Sequence, residues 1–284
     1  MQAGRLYRQI RDRFRRAGVS DPELDAKLLV STLLGIGLSD LLLDDAREVD
    51  EAQVRKIEQK ADLRTGGMPL GRILGEREFY GRRFQLNRST LEPRPDTETL
   101  IDAVLRRTAA DRPVTIWDIG TGSGAIAVTL LAELPESNAV AIDLSEDALS
   151  CALDNARLHA VEDRFHPLCA DYLAGLSNGK TSGPDWIVSN PPYIRSRVLE
   201  GLSPEVIDHD PRLALDGGEN GLNAYAAIVP QAAGLLRPGA RIALEIGYDQ
   251  ASSVEKLLRQ HGLGEIEIIK DLAGNDRVVL AHRT

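Results

Sequence analysis

TIWDIGTGSGAIAVTLL, residues 115–131, joins one apolar run to a second through a glycine-rich turn. Thr115 to Ile119 are strand-formers, and the run after Gly124 is long enough for a buried helix. Gly120, Gly122 and Gly124 permit backbone conformations closed to other residues, so the chain there can pass close to a ligand. A tight strand-to-helix turn alone would account for the same glycines. The alternation continues downstream. Strand patterns at AVAIDL (139–144), RFHPLCA (164–170), DWIVS (185–189) and 241–246 are separated by helical patterns at 145–160, 224–236 and 251–261. The last stretch, EIEIIKDLAGNDRVVLAHR (265–283), reads as two strands about Gly274 and Asn275. Alternating strands and helices imply an α/β class, a parallel sheet covered on both faces, here with an antiparallel edge.

Upstream the character changes. In SDPELDAKLLVSTLLG (20–35), Asp21 is placed to cap a helix, Pro22 opens it and Gly35 stops it. In VDEAQVRKIEQKADLRTGG (49–67), Val54, Ile57 and Ala61 fall at helical spacing before two glycines. The apolar run 28–43 is too short and too interrupted to span a bilayer and reads as core-facing helix. The six arginines among the first sixteen residues, interspersed with Leu6, Ile10 and Phe14, read as the solvated face of a helix. EREFYGRRFQLNRSTLE (76–92) alternates aromatic and polar positions around Gly81, a hairpin pattern. The expected organisation is a helical N-terminal domain (1–74), a β-hairpin linker (75–94) and a large α/β domain (95–284).

Composition excludes several functions. A net charge of −9, from 34 basic and 43 acidic side chains, disfavours wrapping duplex nucleic acid. Cys151 and Cys169 stand far apart and the five histidines are scattered, so neither a metal site nor a triad is expected. The polar N-terminus lacks a secretory signal, and a cytoplasmic setting with no membrane contact is expected.

The glycine spacing is G-x-G-x-G, and the turn is preceded by an acid, Asp118. A carboxylate suits a cationic ligand better than a pyrophosphate, which a helix N-terminus would otherwise welcome. S-adenosylmethionine, with a sulfonium and no phosphates, fits that requirement. Asp143 ends the next strand about twenty residues on, where an acid can take ribose hydroxyls; the alternative is a simple cap for the following helix. Asp171 could meet the adenine amine, and Tyr172 could pack on the ring. These strand ends converge on one sheet edge, where open α/β sheets bind ligands. The pattern is that of the seven-stranded, Rossmann-like class I methyltransferases. Gly120, Thr121, Gly122, Ser123, Gly124, Asp118, Asp143, Asp171, Tyr172 and Asn190 are the candidate cofactor contacts.

WIVSNPPYIR (186–195) follows a buried strand with Asn190-Pro191-Pro192-Tyr193. Neither proline can donate to a strand ladder, so the path of the chain is fixed where it leaves the sheet. An asparagine oxygen plus a backbone carbonyl can accept both hydrogens of a planar –NH2, and Tyr193 can pack on that plane. Such a nitrogen is a poor nucleophile because its lone pair is delocalised. Positioning and hydrogen bonds that strengthen in the transition state are therefore the main levers. Asn190, Pro191, Pro192 and Tyr193 are the candidate acceptor-binding residues. The tetrapeptide resembles the N-P-P-Y motif shared by adenine-N6 and glutamine-N5 methyltransferases.

ILGEREFYGRRF, EPRPDTETLI, DIGTGSGAIAV, SNPPYI, DPRLALDGGENGLNAY, RPGARIALEIG and GNDRVV together resemble, in order, the HemK/PrmC family of release-factor glutamine methyltransferases. The resemblance implies methyl transfer from S-adenosylmethionine to the glutamine side-chain nitrogen in the Gly-Gly-Gln motif of class I peptide chain release factors. It also implies an N-terminal domain that binds this partner, and no nucleic-acid substrate. A glutamine methyltransferase acting on a ribosomal protein shares most of these features. Arg94, Asp96, Thr97 and Glu98 in RPDTE, and Glu245 in LEIG, read as architectural residues near the pocket. Two places depart from the family pattern, Gly71 and Arg72, where members often carry an aromatic residue, and Glu92, where an aliphatic residue is usual.

Overall fold

The computed structural model describes residues 1–109, 111–177 and 183–284. It divides into two compact units, Met1–Glu76 and Arg77–Thr284, each described here by itself.

The first unit contains helices α1 (Ala3–Arg16), α2 (Pro22–Leu34), α3 (Asp40–Leu43), α4 (Glu51–Thr65) and α5 (Leu70–Leu74). Leu6, Ile10 and Phe14 recur every fourth residue of α1 and are buried with Leu29, Val30, Ile57 and Ala61 in one core. At ~1.5–3 kcal/mol for each large side chain buried, that stripe holds α1 in place far more than helix propensity does. Asp21 caps α2 by accepting from the Leu24 N–H, and Gly35, at φ 64°, ends it. The run 28–43 is consequently not one helix. The left-handed turn at Gly35 breaks it, and of the short α3 that follows, Leu41 is buried whereas Leu43 is exposed. Asp50 and Gln53 form a reciprocal capping box at the start of α4.

The second unit begins with a hairpin, β1 (Glu76–Phe79) and β2 (Arg82–Gln85), the division falling at its first residue. Tyr80 and Gly81 turn it with φ of 51° and 67°, the paired positive angles that match the twist of a tight hairpin. A 3-10 turn at Pro95–Thr97 leads into α6 (Glu98–Leu105). Then come β3 (Thr115–Ile119), α7 (Ala125–Glu133), β4 (Asn138–Asp143), α8 (Glu146–Leu158), β5 (Phe165–Cys169) and β6 (Trp186–Ser189). After two short helices, α9 (Ser196–Leu199) and α10 (Pro204–Ile207), follow α11 (Asn223–Leu235), β7 (Arg241–Glu245), α12 (Ala251–Gln260), β8 (Leu263–Lys270) and β9 (Asp276–Arg283).

The seven strands are ordered β5-β4-β3-β6-β7-β9-β8, with β9 antiparallel to both neighbours and the rest parallel. The α/β class and the seven-stranded sheet are those read from the alternating pattern. Side chains alternate across the sheet as the period of two requires. Trp186 and Val188 join Leu100, Ile126 and Leu130 on one face, whereas Ile187 joins Tyr225, Ile228 and Val254 on the other. β6 is therefore buried on both sides, and its four residues WIVS carry no exposed position. Strand order reverses between β3 and β6, where Ile119 pairs with Ser189 and the Ser189 hydroxyl donates to the Ile119 carbonyl at 2.6 Å. The glycine loop and the tetrapeptide thus leave the sheet side by side. Among the described residues no helix is long and apolar enough to cross a membrane.

Candidate active site

The two chain exits at the switch in strand order open into a cavity of about 320 Å³. Gly120, Thr121, Gly122, Ser123, Asp143, Asp171, Tyr172, Asn190 and Pro192 line it, together with Thr97 and residues from segments 88–94 and 211–214. Asp118, Gly124, Pro191 and Tyr193 lie outside that lining.

The loop's conformation is held by its own hydrogen bonds. The N–H groups of Gly120 and Thr121 donate to the Ile142 carbonyl at 2.8 and 3.0 Å, and that of Gly124 to the Thr121 carbonyl at 2.8 Å. The Gly122 N–H donates to Asp143 Oδ2 at 2.9 Å, while Asp143 Oδ1 accepts from Ser145 N–H at 3.0 Å. Asp143 is not the cap of α8, since Ser145 fills that place by accepting from Ala148 N–H. A side chain at Gly120, where φ is 70°, would meet no atom within 4 Å, so the loop lies open to the cavity there. Four loop amides are thus spent inside the protein, and a carboxylate stands among them. This is the reverse of an anion nest, and it favours a ligand without phosphates.

Asp118 is turned away from the cavity. Its carboxylate is fully buried, accepting from Thr121 Oγ1 at 2.7 Å and Ala127 N–H at 3.2 Å. Burial pushes its pKa up to about 7, with the two hydrogen bonds opposing. It acts as a brace between the loop and α7. Gly124, at φ 79°, lets α7 approach α8, because a Cβ there would stand 3.0 Å from that of Ala152. Beyond β5, Asp171 is exposed at the cavity and Tyr172 is half-buried at φ 50°, an unusual angle for a residue with a side chain. Burial raises its phenol's pKa.

Asn190 leaves β6 with its Nδ2 donating to Thr97 Oγ1 at 3.1 Å, so that Oδ1 remains as an acceptor. Pro191 is buried and Pro192 faces the cavity. The Tyr193 ring packs against the second core, and burial, with Glu245 nearby, pushes its pKa up to about 12. Behind the tetrapeptide stand residues that local sequence did not single out. Gln250 Nε2 donates to the carbonyls of Tyr193 and Gly221, both at 3.0 Å, and its Oε1 accepts from Gly247 N–H. A Cβ at Gly217 would stand 2.8 Å from the Pro192 carbonyl oxygen, and one at Gly221 2.5 Å from that of Tyr193. Three glycines within five residues of DGGENG were the available signal. Arg94, on the cavity wall, pairs with buried Asp210 at 2.6 Å and ties segment 88–94 to segment 211–214.

Two family models match the chain, the PrmC N-terminal domain over residues 5–75 and the methyltransferase small domain over residues 95–219. A release factor glutamine methyltransferase from Bradyrhizobium diazoefficiens is 44% identical over 281 residues, covering 97% of this chain and 93% of its own. One from Caulobacter vibrioides is 38% identical over 270 residues, covering 95% and 92%. The chain belongs to the release factor glutamine methyltransferase family. A solved methyltransferase from Pyrococcus furiosus, 14% identical, superposes with a TM-score of 0.52 over 82% of this chain and 99% of its own, a likeness of fold. Glu92, one of the departures from the family pattern, is buried and paired with Arg77 at 3.1 Å, so the buried charge is compensated within the same unit. Thr97 and Gln250 join the family's tetrapeptide as residues of this site, one on the cavity wall and one behind it.

Proposed function

We propose that the chain transfers a methyl group from S-adenosylmethionine to the side-chain amide nitrogen of the glutamine in the Gly-Gly-Gln motif of class I peptide chain release factors. The observation that carries this reading is Asn190 on the wall of a cavity whose loop amides are already spent, with its Oδ1 left as an acceptor. Asn190 and Asp143 face one cavity of a size that suits a nucleoside-sized ligand and an incoming side chain.

The residues present fit the cofactor. Asp143 accepts two backbone N–H groups and keeps lone pairs for a ribose diol. Tyr172 offers a ring to adenine and Asp171 an acceptor to its amine, while Gly120 and Gly122 leave open space for the ligand. When bound, S-adenosylmethionine supplies an electrophilic methyl group on a sulfonium.

The chain's own residues hold the acceptor. Asn190 Oδ1 and a backbone carbonyl of the tetrapeptide take the two amide hydrogens of the glutamine, which fixes the direction of the nitrogen lone pair. Those bonds strengthen as positive charge develops on the nitrogen, so they stabilise the transition state more than the bound substrate. The amide proton is held at these oxygens and released to solvent, and no side chain is required as general base. Pro191 and Pro192 keep the path rigid, and Tyr193, held through its carbonyl by Gln250, braces it. The helical unit binds the release factor, and the reading assigns the chain to the cytoplasm.

The test uses methyl-labelled S-adenosylmethionine with a class I release factor, the same factor with the motif glutamine replaced, and DNA. Label is expected in the first alone. Label in DNA, or undiminished label in the substituted factor, overturns the reading.

A further inference from the structure

Thr97 and Glu245 lie outside the tetrapeptide and the glycine loop, yet Thr97 touches the residue proposed to grip the acceptor and Glu245 stands beside Thr97. Glu245 ends β7 beside β6, and its side chain is 1% exposed. The Thr97 hydroxyl stands beside its carboxylate and holds its pKa down against burial, and its Oε2 has no hydrogen-bond partner among the described residues. Thr97 Oγ1 in turn accepts from Asn190 Nδ2 at 3.1 Å.

The direction of this chain follows from the hydrogens available. A threonine hydroxyl has one hydrogen, and an ionised carboxylate can only accept. The hydrogen therefore goes to Glu245, and the hydroxyl oxygen is left to accept, which only the –NH2 end of Asn190 can satisfy. Turning the Asn190 amide over would put Oδ1 against Thr97. The hydroxyl would then have to give its hydrogen to Asn190, leaving a buried carboxylate with neither oxygen bonded.

We infer that Thr97 and Glu245 are positioning residues that fix which end of the Asn190 amide faces the cavity, and through it the acceptor nitrogen. This rests on the proposed methyl transfer for its consequence in turnover, but the orientation itself can be read independently.

Among the described residues, four titratable groups face Glu245. Arg277 on β9 opposes its protonation and Asp96 in the 3-10 turn favours it, while Tyr193 and Tyr225 carry phenols that burial keeps neutral. Burial is the largest influence and pushes the pKa of Glu245 up to about 7. Below that pH the protonated acid brings its own hydrogen, Thr97 is no longer committed, and the Asn190 amide can turn.

The variants are Thr97→Val, which keeps the shape and removes the hydroxyl, Thr97→Ser, which restores it, and Glu245→Gln, whose amide can donate to Thr97. The first measurement is hydrogen exchange of the Asn190 side-chain amide by NMR in the full chain. One protected hydrogen is expected in the wild type and in Thr97→Ser, and none in Thr97→Val. The second is kinetic. Thr97→Val is expected to lower kcat on the release factor about tenfold or more while the S-adenosylmethionine Kd stays within about twofold, and Thr97→Ser to recover most of kcat. The wild-type kcat should fall as pH drops through about 7, a limb that Glu245→Gln removes. Equal amide exchange in wild type and Thr97→Val, or equal losses of kcat in the Val and Ser variants, overturns the inference. Absence of methyl transfer by the wild type would instead overturn the proposed function, and the exchange measurement would still decide the orientation.

Discussion

Two carboxylates on adjacent strand ends carry opposite tasks, and single substitutions separate them. Asp143 faces the cavity and holds the loop through the Gly122 N–H. Asp143→Ala should raise the Kd for S-adenosylmethionine about tenfold or more, since hydrogen bonds to a charged acceptor are worth ~1.5–3 kcal/mol. Asp143→Asn, which can still accept from Gly122, should lose less. Calorimetric titration measures both, and an unchanged Kd in the alanine variant would remove Asp143 from the ligand contacts. Asp118 is buried away from the cavity, and its folded pKa of about 7 stands well above the usual carboxylate range. A raised folded pKa means that the fold favours the protonated form. The stability it contributes is fully present below about pH 4 and is lost as pH rises through about 7. Asp118→Asn cannot ionise, so its melting temperature relative to the wild type should climb between pH 4 and pH 7 and level off above. A difference that stays constant across that range would contradict the assignment.

At the scale of elements, the tetrapeptide is rigid because another segment backs it. The chain around Ile194 runs parallel to that around Asp216, with the Ile194 N–H donating to the Leu215 carbonyl and the Gly217 N–H to the Ile194 carbonyl. Gly217 has no room for a Cβ against Pro192 and Tyr193. Gly217→Ala must therefore displace the tetrapeptide, and a shift of about 1 Å there should cost roughly a hundredfold in kcat. The contrast is Gly234→Ala in α11, where a Cβ meets nothing within 4 Å. That change should stabilise the helix by ~0.5–1 kcal/mol and leave turnover untouched. Parallel kinetics and thermal unfolding of the two variants would expose a wrong account if both lost activity alike. This coupling marks the boundary of what the sequence makes legible. The strand, the glycines and Asp143 were readable because each signal is local and periodic. Gln250 was not, because its partner Tyr193 lies 57 residues away and nothing in the intervening spacing announces the contact. Asp118 was read as an acid suited to a cationic ligand, but spacing along a strand does not reveal that a carboxylate turns inward once Thr121 and Ala127 offer it donors. The break within the run 28–43 was readable for the same reason as the strand, since Gly35 after the apolar stretch is a local stop signal and the chain turns left-handed there.

For the whole molecule, the division of the chain places the cavity within one of its two units. Every residue lining the cavity falls between Arg88 and Ala214, inside the second unit, and that unit has a core on each face of its own sheet. The first unit has a separate core built on α1, α2 and α4. Basic and acidic side chains balance in Met1–Glu76, so the net charge of −9 falls on the unit that contains the cavity. A net negative charge on that unit disfavours extensive contact with phosphate backbones. Under the proposed function the helical unit contributes affinity for the release factor, and the cavity contributes chemistry. The fragment Arg77–Thr284 should then bind S-adenosylmethionine with a Kd within about twofold of the full chain, circular dichroism confirming its fold. Its kcat/KM on an intact release factor should fall about tenfold or more, the loss residing mainly in KM, because uniform binding energy is what has been removed. On a short peptide containing Gly-Gly-Gln, too small to reach a second unit, the fragment and the full chain should perform alike. A fragment that methylates the intact factor with the full chain's kcat/KM would show that the helical unit has no part in choosing the partner.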